Sequence, residues 1–399
     1  MGNTKGMYKF AGGKLLRFGY TTGTCAAAAA KAAAIMLLGR GRDPLKNVDV
    51  ITPAGKGLCL ALEDVRKGEG WVSCAVRKDS GDDPDVTNGI LVYAKVEKML
   101  APRRGIVVEG GEGIGRVTKP GLDQQVGETA INSMPRKMIT AECRAACQDA
   151  GYEGALLATI SIPAGITLAA RTFNPKLGIL GGISVLGTSG LVEPMSEKAL
   201  ADSIRIELGQ IYEEGERDVL LVIGNAAADF ALNNLGLSGI PRVKCSNFIG
   251  EALAAASELG FKRVLLVGHL GKIIKLGLGM VNTHSSQGDG RMETLVACAL
   301  EAGAEIETLK GIAGCVNTSA AAALLNKAGL LRAAMAVLEK RISETLHRHT
   351  LDETETGFFS FCKTEASRET PVPADMLRGG EIIAQSANAE NMLWVLRNR

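Results

Sequence analysis

The chain has 399 residues, of which 46% are hydrophobic and 22% charged, and its formal net charge is +2 at pH 7. This composition is typical of a globular protein long enough to form two domains. The near-neutral charge and the aromatic content of 4% argue against nucleic-acid binding, which relies on basic surfaces and exposed rings.

Nine cysteines occur without a CxxC pair, which indicates reduced thiols rather than a disulfide framework or a zinc site. The apolar stretch at residues 26–38 carries Lys31 and is shorter than the roughly 20 residues that span a bilayer. We therefore expect a cytoplasmic protein without a membrane segment and without a protein-bound metal.

The first conspicuous element is a Gly- and Thr-rich stretch at residues 17–25, followed at once by an alanine run. This pattern predicts a helix that is N-capped by Thr24 and closed by Gly39. Backbone N–H groups, hydroxyls and the helix dipole would meet beside Cys25, which predicts a place for an anionic group. The same position would lower the pKa of a thiol, so a nucleophilic Cys25 is an alternative to a packed small residue.

Strands dominate the next part of the chain. Residues 48–52 and 57–62 predict a hairpin. Further predicted elements are strands at 71–76, 91–96, 105–109 and 158–162, and a helix at 132–150. This order predicts an α+β domain over residues 1–175.

Apolar strands then alternate with helices. Predicted strands lie at 179–186, 219–223 and 264–267, and predicted helices at 196–214, 226–235, 248–259 and 270–278. Helices continue from Asp289 to about residue 349, followed by a loop at 371–374 and a terminal helix at 388–396. The alternation predicts an α/β, Rossmann-like domain with a mainly parallel sheet over residues 176–399.

Two glycine loops follow buried strands in this second half. Gly224-Asn225 and Gly268-His269 fall where parallel sheets bind ligands, although glycines end strands in many α/β proteins. Two glycine clusters also bracket one apolar region. One spans residues 178–182 and includes Gly181 and Gly182, and the other spans 187–190 and includes Thr188 and Ser189. Their N–H groups and hydroxyls suit a carboxylate, a ribose or a phosphate.

Only four histidines occur, and two of them lie in a charged stretch that we expect to be exposed. His269 and His284 are therefore the candidates for proton handling. A hydrogen-bonded loop histidine is the competing interpretation for each.

Several segments, in order, closely resemble the signature of the CbiD family, the cobalt-precorrin-5B C-1 methyltransferases of anaerobic cobalamin synthesis. They are YTTGTCAAAAAK (20–31), GGEGIGRVTKPG (110–121), TFNPKLGILGGISVLGTSG (172–190), VEPMSE (192–197), KCSNFIG (244–250) and NTHS (282–285). The resemblance extends collinearly from about Arg17 to about Cys362.

The resemblance implies methyl transfer from S-adenosylmethionine to carbon 1 of cobalt-precorrin-5B, which gives cobalt-precorrin-6A. The cobalt would arrive within the tetrapyrrole substrate, and the α/β domain would be the side of the methyl donor. The residues suited to hold the donor are Gly181, Gly182, Thr188, Ser189, Gly224, Asn225 and Gly268.

His284, and second His269, are the candidates for proton transfer or for orienting the macrocycle. The carboxylates of the substrate would be bound by arginine forks. The candidate substrate-binding residues are Thr22, Thr24, Arg136 and Arg171. Other basic residues near the signature segments, including Lys244, Lys272 and Lys275, are equally compatible with solvated surface charge.

Two other classes of function stay open at this point. One is a non-catalytic tetrapyrrole carrier or scaffold, which would bind the macrocycle without binding S-adenosylmethionine. The other is a thiol-dependent acyl-transfer or hydrolytic enzyme that uses Cys25. A homo-oligomer is one interpretation of the alanine-rich helices, which can equally pack internally.

Overall fold

The computed structural model describes residues 7–11, 13–39, 45–99, 105–362 and 380–399. Helices and strands mix throughout this part of the chain, which divides into two compact units, Met1–Ser196 and Glu197–Arg399. No helix in the described ranges is both long and apolar enough to cross a membrane. The loop predicted at 371–374 lies outside the described residues.

The first unit is built on a six-stranded sheet. Its strands lie in the order β4 (Asn47–Ile51), β5 (Gly57–Gly68), β6 (Trp71–Arg77), β7 (Leu91–Met99), β10 (Ala155–Ser161) and β8 (Gly105–Gly110). All neighbours are antiparallel except β10 and β8, which run parallel. The predicted hairpin is confirmed as β4–β5.

Short two-stranded pairs complete the unit. They are β1 (Tyr8–Ala11) with β2 (Lys14–Arg17), β3 (Gly19–Tyr20) with β12 (Leu191–Val192), and β9 (Arg116–Val117) with β11 (Ile179–Leu180). Because residues 179–192 pair with β3 and β9, the unit boundary lies after Ser196 rather than at residue 175, where the sequence predicted it. The strand predicted at 179–186 is wrong beyond Leu180. Its remainder makes only isolated bridges, Ile114 to Ile183 and Ile131 to Val185.

Helix α1 (Thr22–Leu38) lies against β6, β7 and α2 (Ser133–Asp149), and most of its residues are buried. Alanine suits this position because its small side chain lets neighbouring backbones approach on several sides. The helix begins earlier than predicted, and its N-cap is Thr21 rather than Thr24. Gly23 lies inside the first turn of α1. Glycine is favoured at this position because a Cβ would stand 2.7 Å from Pro135 Cγ of α2. The alanine-rich helix thus packs internally.

The second unit contains a five-stranded sheet with helices on both faces. Its strands lie in the order β14 (Arg242–Lys244), β13 (Asp218–Val222), β15 (Arg263–His269), β16 (Glu355–Cys362) and β17 (Glu381–Gln385). The first four run parallel and β17 is antiparallel.

The helices of this unit match the predicted alternation. They are α4 (Glu197–Glu213), α5 (Asn225–Asn233), α6 (Ile249–Leu259), α7 (Leu270–Ile273), α8 (Arg291–Glu301), α9 (Ile306–Ala313), α10 (Thr318–Lys327), α11 (Leu331–Arg348) and α12 (Ala389–Arg397). The helix predicted at 270–278 is α7 followed by a 3-10 turn, Ile274–Leu278.

Alternate residues of the parallel strands enter two different cores. Leu220 and Val222 pack with α5 and α12, whereas Val219 and Leu221 pack with residues of α4, α6 and α11 on the opposite face. Burial on both faces explains why these strands appear in the sequence as continuous apolar runs.

Candidate functional site

In the second unit, the order of the parallel strands creates a topological switch point at the carboxyl edge of the sheet. From β13 the chain passes through α5 to β14 on one side, and it then returns through α6 to β15 on the other side of β13. The strand order therefore reverses between β13 and β15. In open α/β sheets, ligands bind outside the carboxyl ends of the strands at such a switch point.

Both predicted glycine loops end the two strands that flank this switch point. Gly224 has φ 85° and ψ −177°, a conformation that side chains disfavour, and a Cβ there would meet no atom within 4 Å. Asn225 begins α5, and its Oδ1 accepts a 2.7 Å hydrogen bond from Lys244 Nζ at the end of β14. Gly268 is different, because a Cβ there would stand 2.7 Å from Ile223 Cδ1. Packing alone is sufficient to explain that glycine.

His269 lies at the carboxyl end of β15 and caps α7. Its Nδ1 accepts a 3.1 Å hydrogen bond from the backbone N–H of Gly271. Its ring also meets Phe361 edge-on, with 5.6 Å between the ring centroids. A backbone N–H can only donate, so this contact assigns the proton of the neutral ring to Nε2.

His284 repeats this arrangement in the loop before α8. It caps the 3-10 turn Ser285–Gln287, and its Nδ1 accepts from the backbone N–H of Ser286 at 3.2 Å and lies 2.7 Å from Ser286 Oγ. The side chain is exposed. By the same reasoning the neutral ring carries its proton on Nε2. In these conformations the Nε2 atom of each histidine is suited to donate a hydrogen bond rather than to accept a proton.

The His284 loop is fastened to the turn after β14. Thr283 N–H donates to Asn247 O at 3.0 Å, and Thr283 Oγ1 donates to Asn247 Oδ1 at 3.2 Å. Ser246, just before Asn247, has φ 53°, which is unfavourable for a residue with a side chain. Strained residues of this kind occur often at functional sites. Two signature segments, 244–250 and 282–285, thus meet at the carboxyl edge of the sheet.

The remaining predicted site residues lie in the first unit, where the glycine clusters serve packing. A Cβ on Gly182 would stand 2.3 Å from Gly113 O, and a Cβ on Gly187 would stand 2.2 Å from Thr21 Oγ1. The loop at 111–115 is likewise closely packed, because a Cβ on Gly113 would overlap Ile162 O and a Cβ on Gly115 would overlap Ile179 Cγ2.

The predicted anion site at the start of α1 is filled by the chain itself. Gly23 N–H donates to Leu186 O at 3.0 Å, and Thr22 Oγ1 accepts from Leu186 N–H at 3.0 Å. Thr24 is fully buried, and its hydroxyl donates to Gly190 O at 2.7 Å. Thr22 and Thr24 thus hold the 186–190 segment, and the expectation of a free anion site at this helix end is wrong.

The other predicted residues of this unit differ in how they are engaged. Arg136 donates to Val108 O at 2.8 Å and to Ile131 O at 2.9 Å, so its guanidinium ties α2 to neighbouring backbone. Gly181, Thr188 and Arg171 are exposed. Ser189 is exposed as well, and its hydroxyl donates to Leu191 O at 3.1 Å.

Cys25 does not have the environment of a nucleophile. It has 0% exposure, and burial raises the pKa of its thiol to about 12. A reactive cysteine needs the opposite, a lowered pKa and access to substrate. Within the described ranges, no group of three or more His, Cys, Asp or Glu side chains is arranged to hold a metal ion.

Sequence reasoning missed the polar cluster around Asn247. Lys272 Nζ donates to Asn247 Oδ1 at 2.8 Å, and Lys275 Nζ donates to Gly288 O at 2.6 Å. Both lysines were noted only as basic residues near signature segments. The available signal was that Lys272 follows the predicted ligand loop Gly268-His269 within one helical turn.

The chain is similar to proteins of one family along most of its length. The profile of CbiD matches residues 9–194, and that of the CbiD C-terminal domain matches residues 282–366. A cobalt-precorrin-5B C(1)-methyltransferase of Ruminiclostridium cellulolyticum is 47% identical over 82% of this chain and 84% of its own. One of Alkaliphilus metalliredigens is 40% identical over 93% of this chain and 95% of its own. A crystal structure of the cobalamin biosynthesis protein cbiD of Archaeoglobus fulgidus shares 29% identity, with a TM-score of 0.38 over 71% of this chain and 87% of that chain.

Proposed function

This chain belongs to the CbiD family, and we propose that it transfers a methyl group from S-adenosylmethionine to carbon 1 of cobalt-precorrin-5B, giving cobalt-precorrin-6A. The observation that carries this proposal is identity of 40–47% to relatives named for that methyl transfer over most of the chain. The reaction is a step of anaerobic cobalamin synthesis, and the cobalt belongs to the substrate.

We propose that the methyl donor binds at the switch point of the second unit. The open space at Gly224 and the amide of Asn225 support this position. Lys244 Nζ donates to Asn225 Oδ1 at 2.7 Å, which leaves the amide NH2 of Asn225 and the other N–H groups of the ammonium to donate to a ligand. The exposed loop residues Gly181, Thr188 and Ser189 of the first unit are proposed only as secondary contacts.

The transfer breaks the bond between the sulfonium sulfur and its methyl carbon, and the electron pair of that bond stays on sulfur. A carbon of the macrocycle supplies the electron pair for the new bond, so the protein need not supply a nucleophile. The protein must align the two reactants and exclude water. This requirement agrees with a buried, protonated Cys25 and with loops rich in hydrogen-bond donors.

We assign His284 the role of orienting the macrocycle through Nε2–H, with His269 second. Both rings already use Nδ1 to accept a backbone N–H. Taking a proton from the substrate would require either ring to give up that bond or to rotate. Donation of a hydrogen bond to a carboxylate of the substrate requires neither change.

The direct test is an anaerobic incubation of the purified protein with cobalt-precorrin-5B and methyl-labelled S-adenosylmethionine, followed by mass spectrometry. The expected result is one labelled methyl group in the macrocycle and an equal amount of S-adenosylhomocysteine. A folded sample that binds the macrocycle but leaves it unlabelled would instead support a carrier. Absence of label transfer, together with an acyl-transfer or hydrolytic activity that is lost when Cys25 is alkylated, would support a thiol-dependent enzyme.

A further inference from the structure

Three positive charges lie close together in the second unit, which also contains the proposed donor site. Lys272 is in α7, Lys275 is in the 3-10 turn that follows, and Arg291 begins α8. Burial lowers the pKa of the Lys272 ammonium, and the charges of Lys275 and Arg291 lower it further. Asp289 lies near the cluster but makes a two-pronged ion pair with Arg291. Three cations and one carboxylate leave the group with a net charge of +2.

Lys275 is the most unusual member because its side chain is only 4% exposed. Its ammonium donates to Gly288 O at 2.6 Å and to Thr283 O at 3.3 Å. Buried ammonium groups are normally paired with an anion, since removal from water is costly. Among the residues that the structure describes, no carboxylate forms an ion pair with Lys275. Its direct partners are backbone carbonyls, which carry no full charge, and these hydrogen bonds fix the loop that carries His284.

Lys272 is half-buried and directed by Asn247. Its Nζ donates to Asn247 Oδ1 at 2.8 Å, and the same oxygen accepts from Thr283 Oγ1 at 3.2 Å. In the described part of the chain, Asn247 Oδ1 is the acceptor of this ammonium, which has three N–H donors. Two donors thus stay available for a ligand. Ser246, whose φ is 53°, directly precedes Asn247.

We propose that Lys272 binds a carboxylate of one of the two reactants, and that Lys275 and Asn247 are positioning residues for this subsite. The proposal rests on the proposed function, which supplies two carboxylate sources. One is the rim of the tetrapyrrole, and the other is the methionine part of S-adenosylmethionine. A bound carboxylate would neutralise part of the excess positive charge and would accept the remaining Lys272 donors.

The test compares Lys272→Met and Lys272→Arg with the wild type and with Lys310→Met. Lys310 serves as the matched control because it is an exposed lysine of α9 that pairs only with Glu307 in the described residues, so its loss changes the net charge equally. Steady-state rates are measured with each reactant varied in turn. Equilibrium binding of S-adenosylhomocysteine and of cobalt-precorrin-5B is measured by calorimetry, and thermal melting checks the fold.

Loss of a charge-assisted hydrogen bond predicts that Lys272→Met raises one KM by about 10-fold or more, with kcat changed by less than about 3-fold. Lys272→Arg is expected to retain most of the affinity, and Lys310→Met all of it. A weaker affinity for S-adenosylhomocysteine identifies the donor carboxylate, whereas a weaker affinity for the macrocycle identifies the rim. Added salt should weaken wild-type binding more than binding by Lys272→Met.

The subsite is refuted if Lys272→Met binds both compounds as the wild type does. The binding measurements decide this point whether or not methyl transfer occurs. Absence of labelled product with wild-type protein would instead overturn the proposed function, so the two failures are distinguishable.

Discussion

The thiol of Cys25 provides a quantitative test between methyl transfer and thiol chemistry. Burial raises the pKa of this thiol to about 12, which lowers the thiolate fraction at neutral pH by about 10³-fold relative to an exposed thiol. Alkylation can also occur when the first unit opens and exposes Cys25 to solvent, because the thiol then has its ordinary pKa. If that opening costs at least about 5 kcal/mol, it slows the reaction by more than about 10³-fold. Either route therefore predicts protection of at least about 10³-fold.

The measurement is timed alkylation with iodoacetamide at pH 7.5, with each cysteine quantified by peptide mass spectrometry. Cys59 is exposed and provides the internal reference rate. We expect Cys59 to be modified first, Cys25 to stay unmodified until denaturant is added, and turnover to be unaffected. Cys25→Ala should retain turnover for the same reason. Rapid modification of Cys25 with loss of activity, and protection by substrate, would refute this reasoning.

Three further predictions concern the cap of α1, the orienting histidine and the buried thiols. Thr21→Ala should be about 1 kcal/mol less stable to urea than Thr21→Ser, because only serine keeps the hydroxyl that accepts from Thr24 N–H at 3.2 Å; equal losses would mean that this hydroxyl is not the cap. His284→Ala should raise the KM for the macrocycle by about 10-fold with a smaller change in kcat; a fall in kcat of about 100-fold at unchanged KM would instead indicate proton transfer. Burial raises the pKa of the Cys74 thiol to about 12, whereas an exposed thiol has a pKa of about 8.5. Its contribution to stability is therefore complete below about pH 8.5 and is lost as the pH rises toward 12. The free energy of unfolding should fall by roughly 1 kcal/mol per pH unit from this thiol, and the loss should be smaller in Cys74→Ala when urea midpoints are compared at pH 8 and 10.5.

The sequence was most informative where a local pattern matched its structural environment. Strands β13 and β15 are buried on both faces, so their apolar runs were identified within a residue or two. Strand β14 has only three residues, and two of them are exposed, so it carries no such pattern. Strand β16 is largely buried, but the sequence did not predict it. It follows a long helical region, and no glycine or proline turn marks where it begins.

The glycines show why the first unit was harder to predict. The sequence predicts that Gly23 belongs to a turn before the helix. In the structure it lies in the first turn of α1 and allows close contact with Pro135. Gly182 was predicted to bind a ligand, but a Cβ there would meet Gly113 O of its own chain. A sequence shows that a small residue is present, but not whether a ligand or another segment of the protein occupies the space beside it. Only the tertiary contacts distinguish these cases.

The positively charged groups of the two units differ in whether they are already engaged by the chain itself. In the first unit, the N-terminus of α1 and the guanidinium of Arg136 are already satisfied by backbone carbonyls. In the second unit, Lys272 and Lys275 lie together without an ion-pair partner among the described residues, beside the loop of His284. Methyl transfer requires reactants to be held and aligned rather than attacked by the protein. The ammonium groups of Lys272 and Lys275, together with the exposed His284, would meet that requirement without a nucleophile.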